Sequence, residues 1–150
     1  MTNNIVLLIE DEQKTAEMLK RALETEDIDV VWAEDGPAAL KEMKKGRFDL
    51  IILDLKLPGM SGDEVLEKIR DIDRYVETVV YTNYEEPPVM KKLYKLGVYD
   101  YIRKGVDADL WEMVQNVKDK LKPFSEEERE KILEYLPEGM FQEYEMKGGR

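Results

Sequence analysis

The sequence predicts an open, parallel α/β sheet with helices packed on both faces, and three observations carry that prediction. Short apolar runs that read as strands buried on both faces alternate with segments of helical spacing, five of each, and the loops between them are short. Parallel strands need crossover connections, and right-handed helical crossovers cover both sides of the sheet. The 150 residues suffice for a proper core, because a chain of this size buries roughly two thirds of its unfolded surface.

Each element has its own signal. Ile5-Val6-Leu7-Leu8-Ile9 is a continuous apolar run that ends in Glu10-Asp11. Ala16, Leu19 and Leu23 then follow at helical spacing until Glu26-Asp27. Ile28 to Ala33 is β-rich, and Asp35-Gly36-Pro37 offers a turn with proline in the first helical turn before Leu40 and Met43. Leu50-Ile51-Ile52-Leu53 repeats the buried-strand pattern and ends in Asp54. Pro58-Gly59-Met60 turns the chain to Ser61, whose spacing to Glu64 makes a capping box ahead of Val65, Leu66, Ile69 and Ile72. Thr78 to Thr82 is the fourth strand. Pro87-Pro88 opens a helix carrying Val89, Met90, Leu93 and Leu96 that stops at Gly97. Tyr99 to Arg103 is the fifth strand, and Leu110, Met113, Val114, Val117 and Leu121 form the stripe of the fifth helix.

Composition narrows the chemistry. There is no cysteine and no histidine, which excludes disulfides, Cys/His zinc sites, thiol nucleophiles and imidazole bases. The net charge of −11 opposes a phosphate backbone, and no basic patch stands out, so direct nucleic-acid binding is not expected. No apolar stretch approaches the ~20 residues that span a bilayer, which points to a cytoplasmic protein without membrane attachment.

In open parallel sheets ligands bind beyond the carboxyl ends of the strands. There the pattern places Glu10 and Asp11, Asp54, Thr82 and Lys104. Three carboxylates about 5 Å apart repel by roughly 3 kcal/mol per pair at an effective dielectric of 20. A hard divalent cation such as Mg²⁺ relieves that repulsion and keeps a position for a phosphate oxygen. Lys104 adds positive charge and Thr82 a hydroxyl donor. With no base available, the reactive group of such an array is a carboxylate beside a metal, which can form an aspartyl phosphate.

The segments Val6 to Glu12, Asp49 to Gly62, Val79 to Thr82 and Gly97 to Lys104, in this order and spacing, resemble the receiver domain of two-component response regulators, of the single-domain chemotaxis-regulator kind. The likeness covers about residues 4 to 122. It implies a flavodoxin-like sheet of order 2-1-3-4-5. It further implies that Asp54 is the phosphoacceptor, charged by a sensor histidine kinase or a histidine phosphotransfer protein, in a switch that catalyses only its own phosphoryl transfer and dephosphorylation. Asp11 would ligate Mg²⁺ or Mn²⁺ directly and Glu10 mainly through water, with Asp54 and the backbone carbonyl of Lys56 completing the protein ligands. Thr82 and Lys104 would hold the phosphoryl oxygens, and Tyr101 falls where the family keeps an aromatic switch. Lys56 and Tyr84 resemble the positions that tune dephosphorylation. An output protein would bind the face containing Tyr101, with the chain a monomer or a phosphorylation-dependent dimer.

Two residues depart from the pattern. Gly105 stands where the family usually has proline, and Asn83 where a small residue is common. Gly105 supports a second reading, a degenerate receiver that binds partners without phosphorylation. Against a nucleotide or phosphate enzyme on the same fold, the sequence has neither glycine-rich phosphate loop after a strand, and Asp54-Leu55-Lys56 lacks the second aspartate of a dehalogenase-type phosphatase. After Lys122-Pro123 the composition changes: residues 123 to 150 carry eight acidic and four basic residues. Residues 1 to 122 are read as the receiver and 123 to 150 as an acidic extension. A capping box at Ser125 and Glu128 opens a short helix with Ile132, Leu133, Tyr135 and Leu136, ended by Pro137.

Overall fold

The computed structural model describes residues 3–84, 86–105, 110–122 and 126–135. Strands β1 (Ile5–Ile9), β2 (Asp29–Ala33), β3 (Leu50–Leu53), β4 (Glu77–Thr82) and β5 (Asp100–Arg103) form one sheet. All are parallel, in the order β2-β1-β3-β4-β5. Helices α1 (Gln13–Thr25), α2 (Gly36–Lys45), α3 (Gly62–Ile72), α4 (Pro87–Lys95) and α5 (Leu110–Leu121) connect and follow them, and a short α6 (Glu126–Glu134) comes last. Sheet order and helix placement are those implied by the sequence. Of the residues invoked for the last helix, Ser125, Leu136 and Pro137 lie outside the described ones.

The continuous apolar runs serve two cores, one on each face. Successive strand residues point to opposite sides, so Val6, Leu8, Leu50 and Ile52 meet α1 and α5, with Leu19, Leu23, Met113 and Val117. Leu7, Ile9, Ile51 and Leu53 meet α2, α3 and α4 on the other side, with Met43, Leu66, Ile69 and Leu93. The three inner strands are buried almost throughout, while β5 at the edge keeps three of four residues part-exposed. In α4, Leu93 alone is fully buried, and Met90 and Tyr94 face outward.

Two of the helix ends expected from the sequence follow their local chemistry and a third does not. Asp35 accepts from the Ala38 N–H at 2.8 Å, capping α2, and Gly97 ends the α4 turn at φ 93°, a left-handed value that costs glycine little. The exception is Ser61, which sits at the N-cap of α3 but makes no side-chain cap bond, so the expected capping box does not form. The next acidic residue, Asp63, is held by Lys92 of α4 at 3.0 Å, which keeps that carboxyl below its ordinary range against the effect of burial. Asp63 and Glu64 still place negative charge in the first turn, where the helix dipole favours it.

The register brings the site together. Ile9 pairs with Ala33 and Leu53, Leu53 with Val80, and Thr82 with Arg103, so the carboxyl ends of β1, β3, β4 and β5 lie at one end of the sheet.

Candidate functional site

Each site residue stands at or just beyond the end of its strand. Glu10 follows β1, its N–H donates to the Ala33 carbonyl at 3.1 Å, and its own carbonyl accepts the Trp32 indole N–H at 2.7 Å. Asp54 follows β3 and donates its N–H to the Ile9 carbonyl at 3.0 Å. Thr82 ends β4, and its carbonyl accepts the Lys104 N–H at 3.1 Å. These main-chain bonds place four side chains around a cavity of about 300 Å³ that Asp11, Lys56 and Tyr84 also line.

Asp54 is only 6% exposed and is held from several sides. The Thr82 hydroxyl donates to Oδ1 at 2.6 Å, the Lys56 N–H reaches the same oxygen at 3.3 Å, and the Lys104 ammonium contacts Oδ2 at 3.0 Å. Lys104 lies closer still to Glu10 Oε2, at 2.7 Å, and Glu10 Oε1 accepts the Glu12 N–H at 3.2 Å. One ammonium thus serves two buried carboxylates. Burial alone would lower the Lys104 pKa, but Glu10 and Asp54 outweigh it and raise it.

The opposite imbalance falls on Glu10. Burial pushes its carboxyl up to about 7 from an ordinary 4.5, the Asp54 charge adds to the rise, and Lys104 opposes it. Carboxylate oxygens of Glu10, Asp11 and Asp54 lie within 4.8 Å of one another, with Asp11 exposed at the mouth. Among the described residues only Lys104 pairs with these carboxylates, which leaves an excess of negative charge on an all-oxygen donor set, the environment a hard divalent cation fits.

That excess predicts a pH dependence. Without a divalent cation the folded chain holds the Glu10 proton up to about pH 7 while the unfolded chain releases it near 4.5. The folded state then binds more protons across that window, so stability falls as pH rises from 4.5 through 7, by up to about 3 kcal/mol. Urea midpoints at pH 5 and pH 8 in chelator should differ accordingly. Saturating Mg²⁺ and, separately, Glu10→Gln should each flatten the difference; an equal drop in Glu10→Gln would assign it elsewhere.

Tyr101 does not line the cavity. It is part-buried against the α2–α3–α4 core and donates its hydroxyl to the Tyr84 carbonyl, while the Tyr84 N–H donates to Thr82 Oγ1 at 3.1 Å. Tyr84, 37% exposed, also donates its own hydroxyl to Glu86. Gly105 takes φ 69°, which proline cannot adopt, so this loop does not reproduce a proline-bearing one. Lys104 nonetheless reaches Asp54.

Gly62 and Trp32, neither among the predicted site residues, also position the site, Trp32 through its bond to the Glu10 carbonyl. The Gly62 N–H donates to the Leu55 carbonyl at 2.8 Å, and a Cβ there would lie 2.4 Å from the Asp54 carbonyl oxygen and 2.6 Å from Leu55 Cα. A glycine opening a helix eight residues after Asp54 was the available signal for that close approach.

A doubly wound parallel sheet with an aspartate, two further carboxylates, a threonine and a lysine at its carboxyl edge defines the receiver class of signalling domains. The response regulator receiver domain matches over residues 6–117, and the chain belongs to that family. Among its relatives, sporulation initiation phosphotransferase F of Bacillus subtilis is 30% identical over 109 residues, covering 73% of this chain and 88% of that protein. A CheY-like receiver domain structure from Methanospirillum hungatei superposes with TM-score 0.75 at 25% identity, over 79% of this chain and 94% of that one. The Mn²⁺-bound form of response regulator Rcp1 gives TM-score 0.70 at 29% identity, over 81% and 97%. Several other relatives are longer, and the chain spans half of their length or less. Among the described residues no helix is long and apolar enough to cross a membrane.

Proposed function

We propose that this chain is a cytoplasmic, phosphorylation-activated switch in which Asp54 accepts a phosphoryl group from a sensor histidine kinase or a histidine phosphotransfer protein. The observation that supports it most is the set of contacts on Asp54: a buried carboxylate whose two oxygens are held by the Thr82 hydroxyl at 2.6 Å and the Lys104 ammonium at 3.0 Å. An Asp54 oxygen attacks phosphorus, the phosphorus–nitrogen bond of the donor histidine breaks, and the imidazole leaves with a proton from solvent. Such transfer depends on positioning and on neutralising the transferred oxygens. Thr82 and Lys104, both already on Asp54, would turn to those oxygens.

Glu10, Asp11, Asp54 and the Lys56 carbonyl would hold Mg²⁺ or Mn²⁺, which supplies charge neutralisation when bound. Movement of Thr82 would pull the Tyr84 main chain, and through its carbonyl the Tyr101 hydroxyl, changing the face a downstream protein reads. Residues 1 to 122 act as the receiver in this reading and 123 to 150 as an extension. Phosphorylation is tested by incubating the protein with acetyl phosphate and Mg²⁺ and following intact mass beside Asp54→Asn. One phosphoryl adduct on the wild type and none on the variant is expected. The degenerate, phosphorylation-independent module, which Gly105 favours, requires no adduct on either and partner binding indifferent to Asp54→Asn.

Lys56 and Tyr84 flank the cavity over Asp54. A long cation and an aromatic ring there screen attacking water, so the phosphoryl group should decay slowly. Lys56→Asn with Tyr84→Glu should shorten its lifetime about tenfold, roughly 1.4 kcal/mol of barrier. An unchanged decay rate of the isolated phosphoprotein would remove this role from both.

A further inference from the structure

Between α2 and α3, on the side away from α5, lies a groove of about 580 Å³ floored by Pro37, Leu40 and Met60. Lys41 and Lys44 of α2 and Lys68 of α3 line it, all exposed and none in an ion pair among the described residues. Lys45, also at this groove, is paired with Glu42 at 3.3 Å. In a chain of net charge −11 this is a local inversion of sign. The same chain carries a surface of complementary chemistry. On α6, Glu127, Glu130 and Glu134 are exposed and spaced i, i+3, i+7, which puts them on one face. Leu133, three residues on from Glu130, borders that stripe.

We propose that two copies of this chain associate by each seating its α6 in the lysine-lined groove of the other. The acidic stripe meets Lys41, Lys44 and Lys68, and Leu133 meets the apolar floor. A second copy, rather than the chain's own helix, follows from reach. The α5 helix packs on the opposite face of the sheet from α2 and α3. The five Cα steps from Leu121 to Glu126 span at most ~18 Å. Helix layers on either side of a sheet stand about 20 Å apart, and the path around the edge is longer.

Size explains why the contact must be mutual. A nine-residue helix is about 14 Å long, and one such contact falls well short of the ~1,000 Å² of a specific interface. Two-fold exchange doubles it. The overall negative charge opposes approach at long range. At physiological salt that repulsion is screened beyond ~8 Å, whereas the lysine–glutamate contacts act within it. No site residue takes part, so the association does not depend on Asp54.

The test is sedimentation velocity of the full chain from about 10 μM to 1 mM. The wild type and Asp54→Asn should both rise from monomer toward dimer. Lys41→Glu/Lys44→Glu/Lys68→Glu has an acidic groove and an acidic helix; Glu127→Lys/Glu130→Lys/Glu134→Lys has both basic. Each alone should weaken association at least about tenfold, with circular dichroism reporting retained fold. Mixed in equal amounts, the two variants recreate both contacts and should dimerise as the wild type does. A wild type monomeric throughout, a dimer that survives either triple substitution, or a mixture that stays monomeric each overturns the proposal. Loss in the groove variant alone would mean that another segment occupies the groove.

Discussion

Lys104→Ala should slow phosphoryl transfer to Asp54 by about 10²–10³-fold, the loss that follows removal of one preorganised electrostatic donor. Lys104 is the one ammonium on both buried carboxylates, 2.7 Å from Glu10 and 3.0 Å from Asp54, and its position also lies 5.7 Å over the Tyr81 ring. Removing one partner of a buried ion pair costs about 3–5 kcal/mol. Here the lower end applies, because Glu10 already tends toward its neutral form and can take up a proton. The variant should therefore fold, with its midpoint more sensitive to pH between 5 and 8 than the wild type. Adduct formation from acetyl phosphate, followed by intact mass over time, reads the rate. A folded Lys104→Ala protein phosphorylated within about threefold of the wild-type rate would show that Lys104 serves only to neutralise Glu10.

Gly62→Ala should destabilise the fold by about 2–4 kcal/mol, a fall in Tm of roughly 10 °C, and slow phosphorylation as well. The new Cβ would sit 2.4 Å from the Asp54 carbonyl oxygen and 2.6 Å from Leu55 Cα, distances no real Cβ contact adopts. Both neighbours are main chain, so no side chain can rotate away. Either α3 lifts from β3, breaking the Gly62 N–H to Leu55 bond and loosening Val65 and Leu66 in the core, or the Asp54 peptide moves. The second route displaces the carboxylate itself. Gly46→Ala is the control, with ordinary extended backbone and nothing within 4 Å, and should change Tm little. Equal melting of Gly62→Ala and wild type would mean that the close approach is relieved at no cost.

Most of the fold is legible along the chain because its cause is local. A run such as Leu50 to Leu53, with no polar residue on either face, suits a strand covered on both sides, and Asp35 before Gly36-Pro37 suits a helix start. Ser61 shows where local reasoning stops. Its spacing to Glu64 satisfies the capping pattern, yet its side chain makes no cap bond, and the first turn of α3 is tied through Asp63 to Lys92 of α4, a residue distant in sequence. The basic groove is not legible along the chain for a related reason. Lys41 and Lys44 are close in sequence, but Lys68 joins them only when α3 packs on α2.

The order of the elements, the residues at the strand ends and the absence of histidine and cysteine were set by the sequence alone, since periodicity and composition need no partner to be read. Only the tertiary structure decided how charge is shared among those residues. It put one ammonium between Glu10 and Asp54, buried both carboxylates, and left Asp11 at the mouth. It also ran the connection from Thr82 through the Tyr84 main chain to Tyr101, and set Gly62 against Asp54. Burial and charge separation are properties of distances between strands far apart in the chain, and those distances exist only once the sheet has closed its register.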